Sequence, residues 1–78
     1  MRKRFECIAP ERDPTAMTLH LDVASPFDAA ARYVEMSSPI WKLGHGDTVR
    51  VTVRETDGRE TQCVVRVAMG LRFTAEGT

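Results

Sequence analysis

The sequence predicts an α+β domain with the order β-β-α-β-β, one helix lying on one face of a four-stranded antiparallel sheet. Three observations carry that expectation. Apolar residues alternate strictly at Met17, Leu19, Leu21 and Val23 and again at Val49, Val51 and Val53, the period of half-buried strands. Between them Ser25-Pro26-Phe27-Asp28 is a helix start, with a capping hydroxyl, a proline suited to the first helical position and a carboxylate near the positive end of the dipole. Near the end of the chain, Asp57-Gly58 between two apolar runs is a hairpin signal. The chain has 78 residues, enough for a single domain over 1–78 and short of the size at which one core is comfortably stable. Nearly every apolar residue is then needed for packing, leaving little for a buried catalytic pocket. Residues 1–3 and 75–78 are expected to be flexible ends.

Arg4 to Ala9 reads as the first strand, with Phe5, Cys7 and Ala9 on one face. Two prolines and three charges make Pro10 to Thr15 a loop. Met17 to Val23 is the second strand. In the helix, Phe27, Ala30, Ala31 and Val34 form the apolar stripe, Asp28, Arg32 and Glu35 the wet face, and Ser37-Ser38-Pro39 the end. Ile40 to Asp47 is a loop, Thr48 to Glu55 the third strand, and a final strand starts near Glu60, with Cys63, Val65, Val67, Met69, Leu71 and Phe73 on one parity. A two-residue Asp57-Gly58 loop would set the buried valines against the wrong residues. A three-residue loop, Thr56-Asp57-Gly58 with Gly58 left-handed, pairs Val51 with Cys63, Val49 with Val65 and Glu55 with Arg59, and is preferred. The first and last strands are the least polar, as central strands should be, which gives the sheet order 2-1-4-3. The core is expected to unite Leu19, Leu21, Phe27, Val34, Val51, Val65 and Val67.

Eleven basic residues balance eleven acidic ones. A generic nucleic-acid binder would carry a basic excess and a DNA mimic an acidic one, so neither is expected. No apolar run is long enough to span a membrane. Met1-Arg2-Lys3-Arg4 is basic like the start of a signal peptide, but no apolar stretch follows, so none is expected. Two cysteines, Cys7 and Cys63, suit a reduced cytoplasmic protein. With His20 and His45 they are scattered singly, without the spacing of a zinc site, and no metal or other cofactor is expected.

Gly44-His45-Gly46-Asp47 is the most enzyme-like segment, a histidine beside a carboxylate on a glycine-rich loop, but no nucleophile motif accompanies it. A tight connection before a strand is the plainer reading, and no catalytic residue is assigned. Partner binding is assigned instead to Arg50, Arg54 and Arg66 on the open sheet face and to Trp41 with Tyr33 one helical turn away. Glu6, Glu60, His20 and Asp22 are candidates for the same face. No aromatic interleaves the arginines, which speaks against nucleic acid. Trp41 has two readings, a plug at the open end of the core or an aromatic anchor for a partner.

The order 2-1-4-3 resembles the β-grasp arrangement of ubiquitin-like and immunoglobulin-binding domains. The modifiers among them that are conjugated by their tail end in Gly-Gly, whereas this chain ends Glu76-Gly77-Thr78, so conjugation is not implied. In size, in its one helix on an antiparallel sheet and in its lack of catalytic motifs the whole chain also resembles the small phage-encoded anti-CRISPR proteins, which share no common motif. That resemblance implies a non-catalytic inhibitor in the host cytoplasm that binds a host protein or ribonucleoprotein, a CRISPR effector complex, and blocks DNA binding or nuclease recruitment. A β-grasp-like adaptor or a phage structural or accessory protein is the alternative, and a small enzyme on the His45 loop a further one.

Overall fold

The computed structural model describes residues 2–68 and 72–77. Its elements are β1 (Lys3–Ala9), β2 (Asp13–Leu21), α1 (Pro26–Trp41), β3 (Thr48–Glu55), β4 (Glu60–Ala68) and β5 (Arg72–Gly77). The class is α+β, one helix on an antiparallel sheet, but the sheet has five strands in the order β2-β1-β3-β4-β5, not four in the order 2-1-4-3.

The extra strand explains the changed order. The apolar run after Glu60 is two strands: the chain reverses between Ala68 and Arg72, and Val67 comes to face Phe73. Opposed residues across this hairpin have the same parity, so the alternation reads straight through the reversal and periodicity cannot reveal it. Met69 and Leu71, expected on the buried parity, lie outside the described residues. With β5 on its outer side, β4 has one edge left, and β3 takes it. β1 then pairs antiparallel with β3, Cys7 opposite Val53. The last strand of the chain is therefore an edge and β3 the centre, consistent with the near-complete burial of Val49, Val51 and Val53. Residues 75–77, expected loose, belong to β5, and Lys3 opens β1.

The β3–β4 hairpin has the expected register, Val51 opposite Cys63 and Val49 opposite Val65. Gly58 is left-handed at φ 89°, and the Glu55 and Arg59 backbones are joined by a 2.9 Å bond. The side chains of that pair separate: Arg59 turns to Asp57 and the ionic rung forms one step inward, Arg54 to Glu60. β2 begins four residues earlier than its alternation indicates and contains Pro14. An edge strand tolerates this, since one side of its backbone needs no ladder partner.

In α1, Ser25 is the N-cap and its hydroxyl accepts from the Phe27 N–H at 3.0 Å. The helix does not stop before Pro39. It runs through that proline to Trp41 and ends on Lys42, whose left-handed backbone (φ 54°) lets its N–H and that of Leu43 reach the Ser38 carbonyl. Pro39 lies in the last turn, where it withdraws one N–H from the Glu35 carbonyl without ending the helix. Trp41 is therefore a helical residue, not a loop residue. The buried stripe is Ala29, Ala30, Tyr33, Val34, Ser37 and Ser38, rotated from the expected one, and Phe27 and Ala31 lie at its margin. The core joins this stripe to Phe5, Cys7, Ala9, Leu19, Leu43, Cys63, Val65, Val67 and the β3 valines, with Leu21 and Phe27 half-buried against it.

Candidate protein-binding face

α1 covers one face of the sheet, so residues of the opposite parity form an open face. Register places Arg50, Arg54 and Arg66 there: Arg54 lies between Glu6 and Glu60, Arg50 faces Val64, and Arg66 lies between Thr48 and Thr74. His20, opposite Arg4, lies on this face as well, while Asp22 falls just beyond the end of β2.

The three arginines share a face but differ in how firmly they are held. Arg54 is held by two bonds to one Glu60 oxygen, at 3.0 Å from Nε and 2.6 Å from Nη2, with Glu6 at 4.0 Å. The Glu60 hydrogen bond and charge raise its pKa further, so this cation is paired on both sides. Arg50 is looser, its Nε 3.8 Å from Glu11 and its side chain 77% exposed. Arg66 is exposed and has no ion pair among the described residues. Of the three, Arg50 and Arg66 are thus the less firmly held, and Arg54 is engaged within the sheet.

Trp41 closes one end of the molecule. Its ring meets the edge of Tyr33 at a centroid distance of 5.6 Å and an interplanar angle of 81°, a favourable aromatic geometry. It packs half-buried on the core and also lines an open cleft of about 380 Å³ with Glu11, Arg12, Thr48, Val49 and Arg50. The ring therefore packs against the core, as the plug reading expects, and is also partly open to solvent at the cleft. Tyr33, grouped with it from the sequence, is buried (1% exposed) and presents no surface. Its phenol pKa is raised, first by burial and then by the charge of Asp13, with a hydrogen bond from the Ala9 backbone acting the other way. Tyr33 backs Trp41 and does not reach a partner itself.

Glu11 and Arg12 were not singled out by sequence. They lie in the turn after β1, where prolines and charges indicate only a loop. What brings them to Trp41 is the length of α1, whose last turn reaches the end of the sheet holding both that turn and the start of β3. A helix stopped at Ser38 would leave them apart.

The His45 loop is explained by its backbone. The Asp47 carboxylate accepts from the Gly44 N–H at 2.8 Å, the Asp47 N–H donates to the Gly44 carbonyl, and Gly46, at φ 92°, donates to Val67. The carboxylate that would orient a catalytic histidine is engaged in closing a turn, and His45 points to solvent. Cys7 and Cys63 are free and fully buried, on strands separated by β3. Burial, and secondarily the nearby Cys63, push the Cys7 thiol up to about 12. Among the described residues no group of three or more His, Cys, Asp or Glu is placed to hold a metal ion, and no helix is long and apolar enough to cross a membrane. Comparison of the chain with protein-family models, with curated proteins and with solved structures finds no match.

Proposed function

We propose that this chain is a non-catalytic protein-interaction module whose contact region is the Trp41 cleft and the adjoining sheet face with Arg50 and Arg66. The observation that carries this reading is the cleft itself. It sets a half-exposed indole, rigidly backed by Tyr33, beside two guanidinium groups, those of Arg12 and Arg50. A pre-organised aromatic next to a loosely paired cation is the composition of a binding hot spot, because both groups bring contact area or charge at low ordering cost. The matching partner surface is apolar at its centre and acidic at its rim. Overall neutrality favours a protein surface of this kind over bare nucleic acid.

In its specific form the reading is an inhibitor from a phage or mobile element that acts in the host cytoplasm, covers a working surface of a CRISPR effector complex and blocks DNA binding or nuclease recruitment. Its support is the likeness in size and in one-helix antiparallel architecture. The test is expression of the chain in cells whose CRISPR system targets an incoming phage, with retention of the purified effector complex on the immobilised chain as the direct readout. Plaques should return with the wild-type chain. The double reversal R50E/R66E, with its thermal melt unchanged, should weaken retention about tenfold or more at low salt, mainly through slower association. A folded chain that neither restores plaques nor retains any of the effector complexes tried would remove the inhibitor reading. Full-strength inhibition by the charge-reversed variant would remove the proposed face.

A further inference from the structure

Three separate elements build the Trp41 cleft. The turn after β1 supplies Glu11 and Arg12, with the Arg12 backbone N–H bonded to the Ala9 carbonyl at 2.9 Å. The start of β3 supplies Thr48, Val49 and Arg50, and the end of α1 supplies the indole. The lining thus holds two guanidiniums and one carboxylate, a local positive excess in a chain that is neutral overall. That carboxylate satisfies neither cation well. Glu11 stands 3.8 Å from Nε of Arg50, and both side chains are largely exposed. On the same sheet face Arg54 comes to 2.6 Å from Glu60, which is what a charge-assisted hydrogen bond requires. Arg12 has no ion pair among the described residues.

A guanidinium presents a flat fork of donors that the two oxygens of a carboxylate match. Beside these forks lies the open part of an indole backed by Tyr33, a surface suited to an aromatic or aliphatic side chain. We propose that the cleft takes an acidic peptide segment of the partner protein, in which an apolar side chain covers the indole and carboxylates on the neighbouring residues meet Arg12 and Arg50. Glu11 is then an internal competitor. Its carboxylate loosely holds the position on Arg50 that the partner's carboxylate takes, and so exposed a pair exchanges readily. Charge selects this occupant. A basic segment would meet two guanidiniums, and a nucleic-acid backbone would meet Glu6, Glu60 and Glu76 on the adjoining open face. This occupant rests on reading the cleft as a contact region, as proposed above, and specifies the chemistry that fills it.

Trp41 is the only tryptophan of the chain, so its indole N–H gives one nuclear magnetic resonance signal that reads the cleft directly. The test is titration of the full chain with the acetylated and amidated tripeptide Glu-Phe-Glu. The indole signal should shift and saturate with a Kd of about 1 mM. Gln-Phe-Gln and Glu-Ala-Glu should each bind about fivefold more weakly or worse. R50Q should weaken binding of the acidic peptide about threefold, and E11Q should tighten it about twofold. R59Q removes the same charge at the far end of β3 and should leave binding unchanged. An indole signal that does not respond to the acidic peptide overturns the proposal, as does equal binding of Gln-Phe-Gln. Both outcomes are read on the wild-type chain and stand even if a variant fails to fold. Weaker binding by folded E11Q overturns the role given to Glu11. Retention of an effector complex by a chain whose indole ignores the peptide overturns this occupant and leaves the contact region standing. Peptide binding with the expected charge dependence supports it even where no effector complex is retained.

Discussion

Replacing Trp41 by Ala separates the structural role of the ring from any role in binding. A wholly buried tryptophan removes roughly 150–250 Å² from water, and its aromatic pairing adds about 0.5–1.5 kcal/mol. Trp41 is half-buried, so about 100 Å² is lost, worth roughly 2.5 kcal/mol at ~25 cal/mol per Å². With the edge contact to Tyr33 the expected cost of W41A is about 3–4 kcal/mol. A domain of this length has a total stability of roughly 4–12 kcal/mol, so the loss is a large share of it. The melting temperature should fall by about 12–32 °C at ~4–8 °C per kcal/mol. W41F, which keeps a ring against Tyr33, should lose less than half as much. Urea unfolding followed by far-ultraviolet circular dichroism is the suitable assay, because the variant lacks its only indole. A loss of about 0.5 kcal/mol or less, the range of ordinary surface substitutions, would show that the ring is not packed as described.

Two further outcomes follow from the same packing. The Cys7 thiol has a folded pKa of about 12 against an ordinary 9.0, and that of Cys63 is raised by burial as well. The unfolded chain therefore gives up these protons first, so stability present below pH ~9 should decline as pH rises toward ~12. Denaturant midpoints across that window should fall less steeply for C7A, and an equal slope would refute the buried-thiol account. Pro39 deprives the Glu35 carbonyl of a helical partner while lying exposed in the last turn of α1. P39A should raise stability by about 1 kcal/mol in the same unfolding assay, and a loss of stability would show that the proline fixes the helix end.

Local signals read well where a residue type leaves one solution. Ser25 and Pro26 marked the helix start, Gly58 the three-residue hairpin loop, and the valines of β3 the face turned inward. The arginines of β3 and β4 were then placed on the open face by parity alone. Other features depend on neighbours that spacing does not encode. The reversal after Ala68 keeps parity, so one apolar run concealed two strands, and the sheet order followed that miscount. The helix continues through Pro39 despite the lost bond, which carries Trp41 out of its expected loop and into reach of Glu11 and Arg12. Tyr33 and Trp41 were grouped correctly, but only the third dimension shows that one ring is wholly interior and holds the other in place.

Among the described residues, the backbone pairing of β1 with β3 is the only ladder joining the chain before the helix to the chain after it. Every other rung joins neighbours in sequence, β1 with β2 on one side and β3 with β4 and β5 on the other. The sheet is thus two locally closed pieces, each able to zip from its own turn, and a single seam brings Phe5 to Glu55 and Ile8 to Thr52. Hairpins form in microseconds, whereas closing the seam orders the whole intervening segment, helix included, before the contact is gained. On this pairing the seam is expected to be the last ladder to acquire amide protection as the chain refolds.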